Sequence, residues 1–240
     1  MLPDLLGQRL GWESFKASLK RVYAQQGTQI EIVDPVLTKT GTTDFRNVVA
    51  QLLPLKLDGL QVGVNGGEAV SFYQQAHPFG LFKSLKAVAD TALAVQAGPA
   101  LKSAVPPNFW SYLAWYYPSY QNVPIARRFY QDVTSLTKRT EVDAHTAQGH
   151  TVIMAFAAAV GTAHSTETDA IIGALERITL DSVFGPLRFR KEDHQLLIAP
   201  GYLHVEPQTE EPGYRIVEFA SVSAEDAIEP ASPGRAFTEG

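Results

Sequence analysis

Residues 42–67 read TTDFRNVVAQLLPLKLDGLQVGVNGG, and this stretch predicts a helix, a tight turn, a buried strand and a Gly-rich loop in that order. Apolar residues from Phe45 to Leu52 recur at helical spacing, whereas the run from Leu60 to Val64 is typical of a strand. Thr42 or Thr43 is placed to cap the helix. A strand that follows a helix after a short turn is the repeating unit of an α/β fold.

The Gly-rich loop after the predicted strand is the first candidate binding site. In open α/β sheets, ligands bind outside the carboxyl ends of the strands. Asn65, Gly66, Gly67 and Glu68 occupy that position and are therefore candidate ligand-binding residues. Glycine allows close approach of the backbone, and asparagine offers both a donor and an acceptor. The same residues also form ordinary tight turns, so a purely structural role is an equally open alternative.

Composition limits the classes of partner. The chain has 240 residues, 45% of them hydrophobic, which suits one large or two small globular domains. A net charge of −5 gives no reason to expect nucleic acid or an anionic membrane as a partner. The absence of cysteine excludes disulfide bonds and thiolate chemistry but leaves the cellular compartment open.

The first residues do not resemble a secretory signal. Residues 1–15 lack a basic segment followed by an apolar core, so no signal peptide is predicted. The apolar run at 152–160 is too short to cross a membrane. We therefore expect a soluble chain without a targeting segment.

Strand and helix patterns alternate in the first half and give way to helices in the second. Short connections between successive strand–helix units predict a parallel sheet with right-handed crossovers. Predicted strands lie at 29–37, 85–89, 109–117, 187–189, 196–198, 202–205 and 214–219, and predicted helices at 12–23, 69–76, 125–136, 145–160 and 167–178. Residues 220–240 lack periodicity and are predicted to be a flexible tail.

Five segments, taken in order, are similar to the type I periplasmic solute-binding proteins, the Leu/Ile/Val-binding-like group. The resemblance runs from about Leu5 to Phe219 and depends on the order and spacing of these segments together. They are GWESFKASLKRVYAQQG (11–27), TTDFRNVVAQL (42–52), LDGLQVGVNGGEAVSFYQQAHPFGL (57–81), AFAAAVGTAHSTETDAIIGALERI (155–178) and FGPLRFRKEDHQLLIAPGYLHV (184–205).

The resemblance implies an α/β fold of the type I periplasmic-binding-protein kind, a parallel sheet flanked by helices, with an incomplete second lobe. Residues 1–115 with 196–219 would form ligand-binding lobe II, and residues 117–195 the C-terminal part of lobe I. The early part of lobe I has no counterpart in this chain. The three helices predicted between 125 and 178 would then lack the sheet on which they should pack.

The resemblance also implies a function. Members of the family are receptors of ABC importers that close two lobes on an amino acid or related small molecule and dock on an ABC permease. A periplasmic or extracellular location is implied in the same way. The alternative is a sensory or interaction module that keeps part of the fold without transport activity. No cofactor and no metal are expected in either case.

Further candidate ligand-binding residues follow the later strands. Asp90 and Thr91 come directly after a predicted strand, where the resemblance places a group for the ligand's ammonium. A role for Asp90 as a helix cap remains open. Trp110 and Tyr112 could line a binding cleft, because ligand pockets favour aromatic side chains. Burial in the core is the alternative for both aromatic residues.

No catalytic constellation is present in the sequence, so we predict that the chain is not an enzyme. His145 and His150 are five residues apart and do not share the helix face that a metal pair needs. Asp193 and His194 are adjacent, so in an extended segment their side chains point to opposite faces. There is no nucleophile elbow, P-loop or dinucleotide-binding fingerprint.

Overall fold

The computed structural model describes residues 1–90, 100–211, 213–228 and 231. The chain forms two compact units. Unit 1 consists of Met1–Tyr112 and Leu203–Glu218, and unit 2 consists of Leu113–Tyr202 and the described residues from Phe219 onwards. The predicted ligand residue Thr91 lies outside the described residues.

The described helices follow the order of the predicted ones, and the three helices predicted in the second half are confirmed. The helices are α1 (Leu6–Gln25), α2 (Arg46–Leu52), α3 (Gly66–Ala76), α4 (Tyr117–Tyr120), α5 (Pro124–Thr137), α6 (Ala144–Ala163), α7 (Thr168–Leu175) and α8 (Ala224–Ala227), with short 3-10 helices at Leu53–Leu55, Leu81–Ser84 and Lys102–Ala104.

Most strands are short, and one five-stranded sheet dominates. The strands are β1 (Leu2–Pro3), β2 (Leu37–Thr38), β3 (Gly59–Val62), β4 (Ala87–Asp90), β5 (Phe109–Tyr112), β6 (Leu180–Ser182), β7 (Gly185–Leu187), β8 (Gly201–Pro207) and β9 (Tyr214–Ser221). The order in the main sheet is β3-β4-β5-β8-β9, while β6 and β7 form a separate antiparallel pair.

The main sheet is mixed, which corrects the prediction of a parallel sheet. Strands β3, β4 and β5 are parallel. Trp110 stacks on His204, and the Asn108 N–H donates to Glu206. Residue numbers therefore increase along β5 in the direction in which they decrease along β8, so these two strands are antiparallel. Strand β9 follows β8 through residues 208–213, a connection too short for a parallel pair. Only the helix-linked strands of the first half are therefore parallel.

The short strand β1 extends this sheet beyond β3. The Met1 amino group donates to the Gln61 carbonyl oxygen at 2.9 Å, and the Met1 carbonyl accepts from the Gly63 N–H at 2.9 Å. These two bonds flank Val62, as in a parallel ladder. Strand β2 pairs in parallel with the other side of β1. As a consequence, Met1 and Leu2 are buried at the beginning of the chain.

Two predicted strands are wrong in their extent, and a third, predicted at 196–198, is absent, because Leu196 forms only an isolated bridge with Phe189. Residues 29–36, which are most of the strand predicted at 29–37, form no regular structure, and only Leu37–Thr38 pairs with β1. Pro35 has no N–H to donate to a ladder, which explains the interruption. The aromatic strand predicted at 109–117 ends at Tyr112, and α4 begins at Tyr117 with Pro118 in its first turn.

The predicted threonine cap of α2 is also wrong. The N-cap residue is Phe45, and it makes no side-chain capping bond. The Thr42 hydroxyl instead donates to the Lys39 carbonyl at 2.5 Å. Asp44 takes over the capping role, because its carboxylate accepts from the Arg46 N–H at 3.1 Å. A carboxylate at this end of the helix is favoured by the helix dipole.

An aromatic cluster in unit 1 fixes α3 on the sheet. Phe72 contacts the Phe45 ring, with ring centroids 5.7 Å apart, and the Phe82 ring at 6.2 Å. The Tyr73 ring lies edge-on to Phe109 of β5 at 5.4 Å. All five side chains are buried. Edge-to-face pairs of this kind add to the stabilisation from buried area and give α3 a defined position.

The end of the described chain is more regular than the tail predicted at 220–240. Strand β9 continues to Ser221, and the Val222 N–H donates to the Pro200 carbonyl at 3.3 Å. The Ser223 hydroxyl accepts from the Asp226 N–H at 3.1 Å and thereby caps α8. Residues 229–230 and 232–240 lie outside the described residues.

Gly201 in unit 2 is expected to tolerate no side chain. A Cβ there would lie within the contact distance of the Phe219 ring and 2.8 Å from the Leu113 carbonyl oxygen. Gly201→Ala should lower the free energy of unfolding by about 1–3 kcal/mol, because the backbone at Leu113 must move. Gly11→Ala is the matched control, since its Cβ would meet no atom within 4 Å and alanine favours the helix. Urea unfolding curves for both variants test this, and equal midpoints would contradict it.

Candidate functional site

The carboxyl ends of β3, β4 and β5 meet at one edge of the sheet in unit 1. Val62 pairs with Asp90, and Asp90 pairs in turn with Ser111. Because the three strands are parallel, their carboxyl ends lie at the same edge of the sheet. Asn65 to Glu68, which follow β3, and Asp90, the last residue of β4, therefore lie towards this edge.

The backbone at the start of α3 is open. Asn65 is the N-cap residue, and Gly66 has a φ of +55°, which glycine adopts without strain. A Cβ on Gly66 or Gly67 would meet no atom within 4 Å. All three residues are exposed. The first N–H groups of a helix have no partner within the helix and carry partial positive charge, so this terminus suits a carboxylate.

Glu68 contacts the protein itself. Its carboxylate accepts from the Gly41 N–H at 2.7 Å. Gln75, two turns further along α3, accepts from the Phe45 N–H at 2.7 Å and donates to the Thr43 carbonyl at 2.8 Å. Side chains from the first turn and the last turn of α3 therefore hydrogen-bond to the segment before α2. Glu68 fixes the position of Gly41 in that segment.

Asp90 is buried at the end of β4 and accepts two hydroxyl hydrogen bonds. The Ser111 hydroxyl donates at 2.7 Å and the Tyr73 hydroxyl at 3.3 Å. The exposed fraction of Asp90 is 4%, while Ser111 and Tyr73 have none. Burial, followed by the neighbouring Asp90 carboxylate, raises the pKa of the Tyr73 hydroxyl well above its usual value. Tyr73 therefore remains a proton donor to Asp90 at every physiological pH.

Trp110 lies on the other face of the sheet. Along β5, Phe109 and Ser111 are buried while Trp110 and Tyr112 are partly exposed, which is the alternation expected of a strand. The Trp110 ring stacks on His204, with centroids 4.5 Å apart and planes 3° apart. Its indole N–H donates to the Asn108 side chain at 3.0 Å. Trp110 and Tyr112 are therefore not brought together with Asp90.

Sequence reasoning missed two residues at this edge, Tyr73 and Ser111. Ser111 is the one small polar residue in the strand FWSY, and a polar residue at a buried strand position is a usable signal. Tyr73 carries no such signal, because an aromatic residue on an amphipathic helix predicts only packing. Its contact with Asp90 arises from the position of α3 on the sheet.

The residues considered for catalysis are dispersed in the structure. His145 lies beside Asp143, 3.1 Å from its carboxylate, at the start of α6. His194 lies 3.0 Å from Glu176, whereas Asp193 pairs with Arg190. Within the described ranges, no group of three or more His, Asp or Glu residues could hold a metal ion.

Comparison with known proteins identifies the family. The sequence profile of the periplasmic binding protein family matches residues 10–204. This chain belongs to that family. The match covers most of both halves of the chain, and the prediction of a type I periplasmic binding protein is confirmed. No match was found among curated protein sequences.

Solved structures of periplasmic binding proteins share the fold. An ABC-type branched-chain amino acid transporter protein from Rhodopseudomonas palustris is 23% identical and superposes with a TM-score of 0.75 over 98% of this chain. A leucine-, isoleucine-, valine-, threonine- and alanine-binding protein from Brucella ovis is 17% identical, with a TM-score of 0.67 over 88%. A solute-binding protein from R. palustris in complex with benzoate is 14% identical, with a TM-score of 0.66 over 86%. Identities this low show a common fold.

The chain spans only part of these binding proteins. It corresponds to 61% of the length of the R. palustris branched-chain protein and to 55% of both the B. ovis and the benzoate-bound protein. The prediction of an α/β fold of the type I periplasmic-binding-protein kind is confirmed. No helix within the described ranges is long and apolar enough to cross a membrane.

Proposed function

We propose that this chain is a solute receptor of an ABC importer that works with a membrane permease in the periplasm or outside the cell. The observation that carries the proposal is the match of the periplasmic binding protein family over residues 10–204. The open start of α3 at the carboxyl edge of a parallel sheet supports it, since ligands bind at such edges.

The ligand we propose is an amino acid or another small carboxylate. The B. ovis protein is described as binding five amino acids, and the solute-binding protein from R. palustris, the less similar of the two R. palustris proteins, is in complex with benzoate. All of these ligands carry a carboxylate. In this chain, the backbone N–H groups of Gly66 and Gly67 would bind the carboxylate, and Asn65 would donate from its side-chain amide. Their exposure leaves the backbone accessible to such a ligand.

Asp90 is the group that we propose for the ammonium of an amino acid. Its carboxylate lies at the same edge of the sheet, and the hydroxyls of Ser111 and Tyr73 orient it. A carboxylate held in a buried position interacts strongly with a nearby cation, because little water screens the pair. Thr91, the next residue in the sequence, is proposed as a neighbouring contact. Trp110 and Tyr112 also stay candidate ligand contacts, but they would belong to a separate surface on the other face of the sheet.

A thermal-shift screen of the 240-residue chain tests the proposal. Amino acids, small amides and aromatic carboxylates are added at increasing concentration. A ligand at a hundredfold excess over its dissociation constant stabilises the folded state by about 2.7 kcal/mol, so the melting temperature should rise for one of these classes. A cooperative melt that no compound shifts would contradict the receptor function and favour a sensory or interaction module.

The variant Asp90→Asn tests whether Asp90 binds the ammonium group of the ligand and not its carboxylate group. The variant should weaken binding of an amino acid by about 10-fold to 100-fold, because the ammonium loses its charged partner. Binding of the matching carboxylate without an ammonium should be unchanged. Asp58→Asn is the matched control, because Asp58 is an exposed carboxylate just before β3 that pairs with Lys86. Unchanged amino acid affinity in Asp90→Asn would reduce Asp90 to a structural partner of Tyr73 and Ser111.

A further inference from the structure

Unit 2 contains a cleft with a volume of about 370 Å³. Residues of α4, of the β6–β7 pair, of the segment before β8 and of the start of α8 line it. All of these residues belong to unit 2, whereas the candidate site described above consists of residues of unit 1. The volume is within the range of clefts that bind small organic molecules. The cleft is therefore a separate place at which to look for a ligand.

Hydrogen bonds hold the backbone around the cleft. The Ser182 hydroxyl accepts from the Phe184 N–H at 3.0 Å and donates to the Gly185 carbonyl at 2.7 Å, which fixes the turn between β6 and β7. The Leu197 N–H donates to the Arg188 carbonyl at 3.0 Å and thereby joins the segment before β8 to the residue that follows β7. A ligand that enters walls already held in place loses little affinity to the ordering of the protein.

Much of the lining is apolar, and it includes two aromatic rings. The Tyr120 and Phe184 rings lie edge-to-face, with centroids 5.9 Å apart and planes at 73°. Leu187, Leu197 and Ile198 add aliphatic surface. Tyr120 and Phe184 are only half-buried, so each ring has surface left to cover. A further flat ring fits beside such a pair, because aromatic rings pack favourably in edge-to-face and offset arrangements.

The chain itself shows which charged group the cleft binds. A guanidinium nitrogen of Arg188 lies 3.4 Å from a carboxylate oxygen of Glu225, and both residues line the cleft. Their side chains have exposed fractions of 65% and 64%, so this long contact contributes little to stability. The guanidinium has several N–H donors in a planar fork that matches a carboxylate. Arg188 therefore retains donors for a better placed carboxylate.

The charges of the lining favour one class of ligand. Among the described lining residues, Arg188 is the only Lys or Arg and Glu225 is the only acid. A ligand with one carboxylate can replace Glu225 on the guanidinium, and Glu225 can turn to water because it is already largely exposed. A ligand without charge would leave Arg188 unused, and a cation would be repelled by it. The apolar lining then calls for an apolar body on the same molecule.

We propose that this cleft is a second ligand site of the chain and that it takes a small aromatic carboxylate. The ring of the ligand packs against Tyr120 and Phe184, and its carboxylate displaces Glu225 from Arg188. In the free chain, Glu225 occupies the place of the ligand's carboxylate and competes with it. The proposal does not rest on the proposed function, whose residues belong to unit 1.

Titration of the 240-residue chain with para-fluorobenzoate, followed by fluorine NMR, tests the site. Arg188→Gln should raise the dissociation constant by about tenfold, because the carboxylate loses a charged donor. Arg128→Gln is the matched control and should leave the dissociation constant unchanged. Arg128 also belongs to unit 2 and pairs with an exposed carboxylate, that of Asp132, but it does not line the cleft.

Glu225→Gln should change the affinity in the opposite direction. The ligand no longer has to displace a carboxylate from Arg188, so binding should tighten by about twofold to fivefold, as expected for loss of an exposed ion pair. A damaged fold would weaken binding, so misfolding cannot produce this gain. Asp132→Asn removes the partner of Arg128 in the same way and should leave the affinity unchanged.

Two further probes separate the contribution of the ring from that of the charge. Fluoroacetate carries the carboxylate without a ring, and para-fluorobenzamide carries the ring without a charge. Each should bind the parent chain at least about tenfold more weakly than para-fluorobenzoate, because each lacks one of the two contacts.

Five results would overturn the proposal. Two are an absence of para-fluorobenzoate binding and equal affinities of Arg188→Gln and Arg128→Gln. Equal affinities for fluoroacetate and para-fluorobenzoate would reduce the site to an unspecific ion contact. Binding that Asn65→Ala removes and Arg188→Gln leaves intact would place the ligand in unit 1. An affinity that falls as the chain is concentrated would identify a second copy of the chain as the occupant.

Discussion

Trp115→Ala is expected to lower the free energy of unfolding by about 3–5 kcal/mol, the range for removing a large aromatic side chain from a core. Trp115 in unit 2 has an exposed fraction of 1%. Its ring lies edge-on to Phe129, with centroids 5.6 Å apart, and is stacked against Tyr120 at 6.1 Å. Removal leaves a cavity that these rigid rings cannot fill by small movements.

A hydrogen bond adds to this effect. The indole N–H of Trp115 donates to the Val183 carbonyl at 2.9 Å, and Val183 is fully buried. Without the indole, this carbonyl loses its donor in a place that water does not reach. An unsatisfied buried acceptor costs about 1–3 kcal/mol. The alanine variant therefore combines a packing defect with a polar one.

Urea unfolding measures the loss of unfolding free energy in Trp115→Ala, and a second variant separates the loss of packing from the loss of the hydrogen bond. Trp115→Phe keeps a ring but removes the donor, so its loss should lie between zero and that of the alanine variant. Trp12→Ala is the matched control, because Trp12 belongs to α1, which has no buried residue. Its change should stay within about 1 kcal/mol, as for surface positions. Equal losses for Trp115→Ala and Trp12→Ala would contradict the assignment of Trp115 to the core.

The free energy of unfolding of the 240-residue chain should rise as pH increases from about 5 to 8. Burial lowers the pKa of the Met1 amino group from 8.0 to about 5. Between these two values the unfolded chain carries a proton on this group and the folded chain does not. Stability rises with pH wherever the unfolded state binds more protons. The stabilisation is thus complete above pH 8 and is lost as pH falls to about 5.

The expected size is on the order of 4 kcal/mol, from about 1.4 kcal/mol per pKa unit. The cause is geometric, because the Met1 amino group is enclosed beside β3 and donates to the uncharged carbonyl of Gln61 at 2.9 Å. Desolvation disfavours the charged amine, and this carbonyl does not neutralise it. The shifted carboxylates Asp44 and Asp193 have lowered pKa values, so they titrate below this pH window.

Urea unfolding at several pH values checks this prediction. The control is the chain extended by one glycine before Met1, in which a peptide N–H replaces the amine at the same place. That N–H does not titrate, so the extended chain should lose most of the pH dependence between 5 and 8. The same slope in both chains would show that other groups are responsible.

Local sequence predicted the elements around the candidate site well. The helix and strand from Phe45 to Val62 were expected from periodicity, and both are present. The open glycines after β3 were expected from turn chemistry, which depends only on neighbouring residues. The capping of α2 was predicted wrongly, because Asp44 competes with the threonines for the same N–H groups. Differences between capping residues are small, so sequence alone does not rank them.

The grouping of the candidate residues depends on strand register. Asp90 pairs with Ser111, which places both on the α3 face of the sheet. Trp110, one residue earlier, is on the other face against His204. Side chains alternate along a strand, so a shift of one residue would exchange these two groups. Sequence patterns identify the strands but do not reveal which residues pair across them.

The long helices, the strands β3 to β5, the open glycine loop and the resemblance to periplasmic binding proteins could all be recognised in the sequence. These features depend on residues that are near one another in the chain. Tertiary structure alone decided that β8 and β9 complete the sheet of unit 1 in the antiparallel sense, that Tyr73 and Ser111 hold Asp90, and that α6 exposes its largest side chains. Each of these depends on contacts between distant segments. Such contacts are determined by packing, because an apolar pattern in the sequence does not show whether the apolar side chains are buried or exposed.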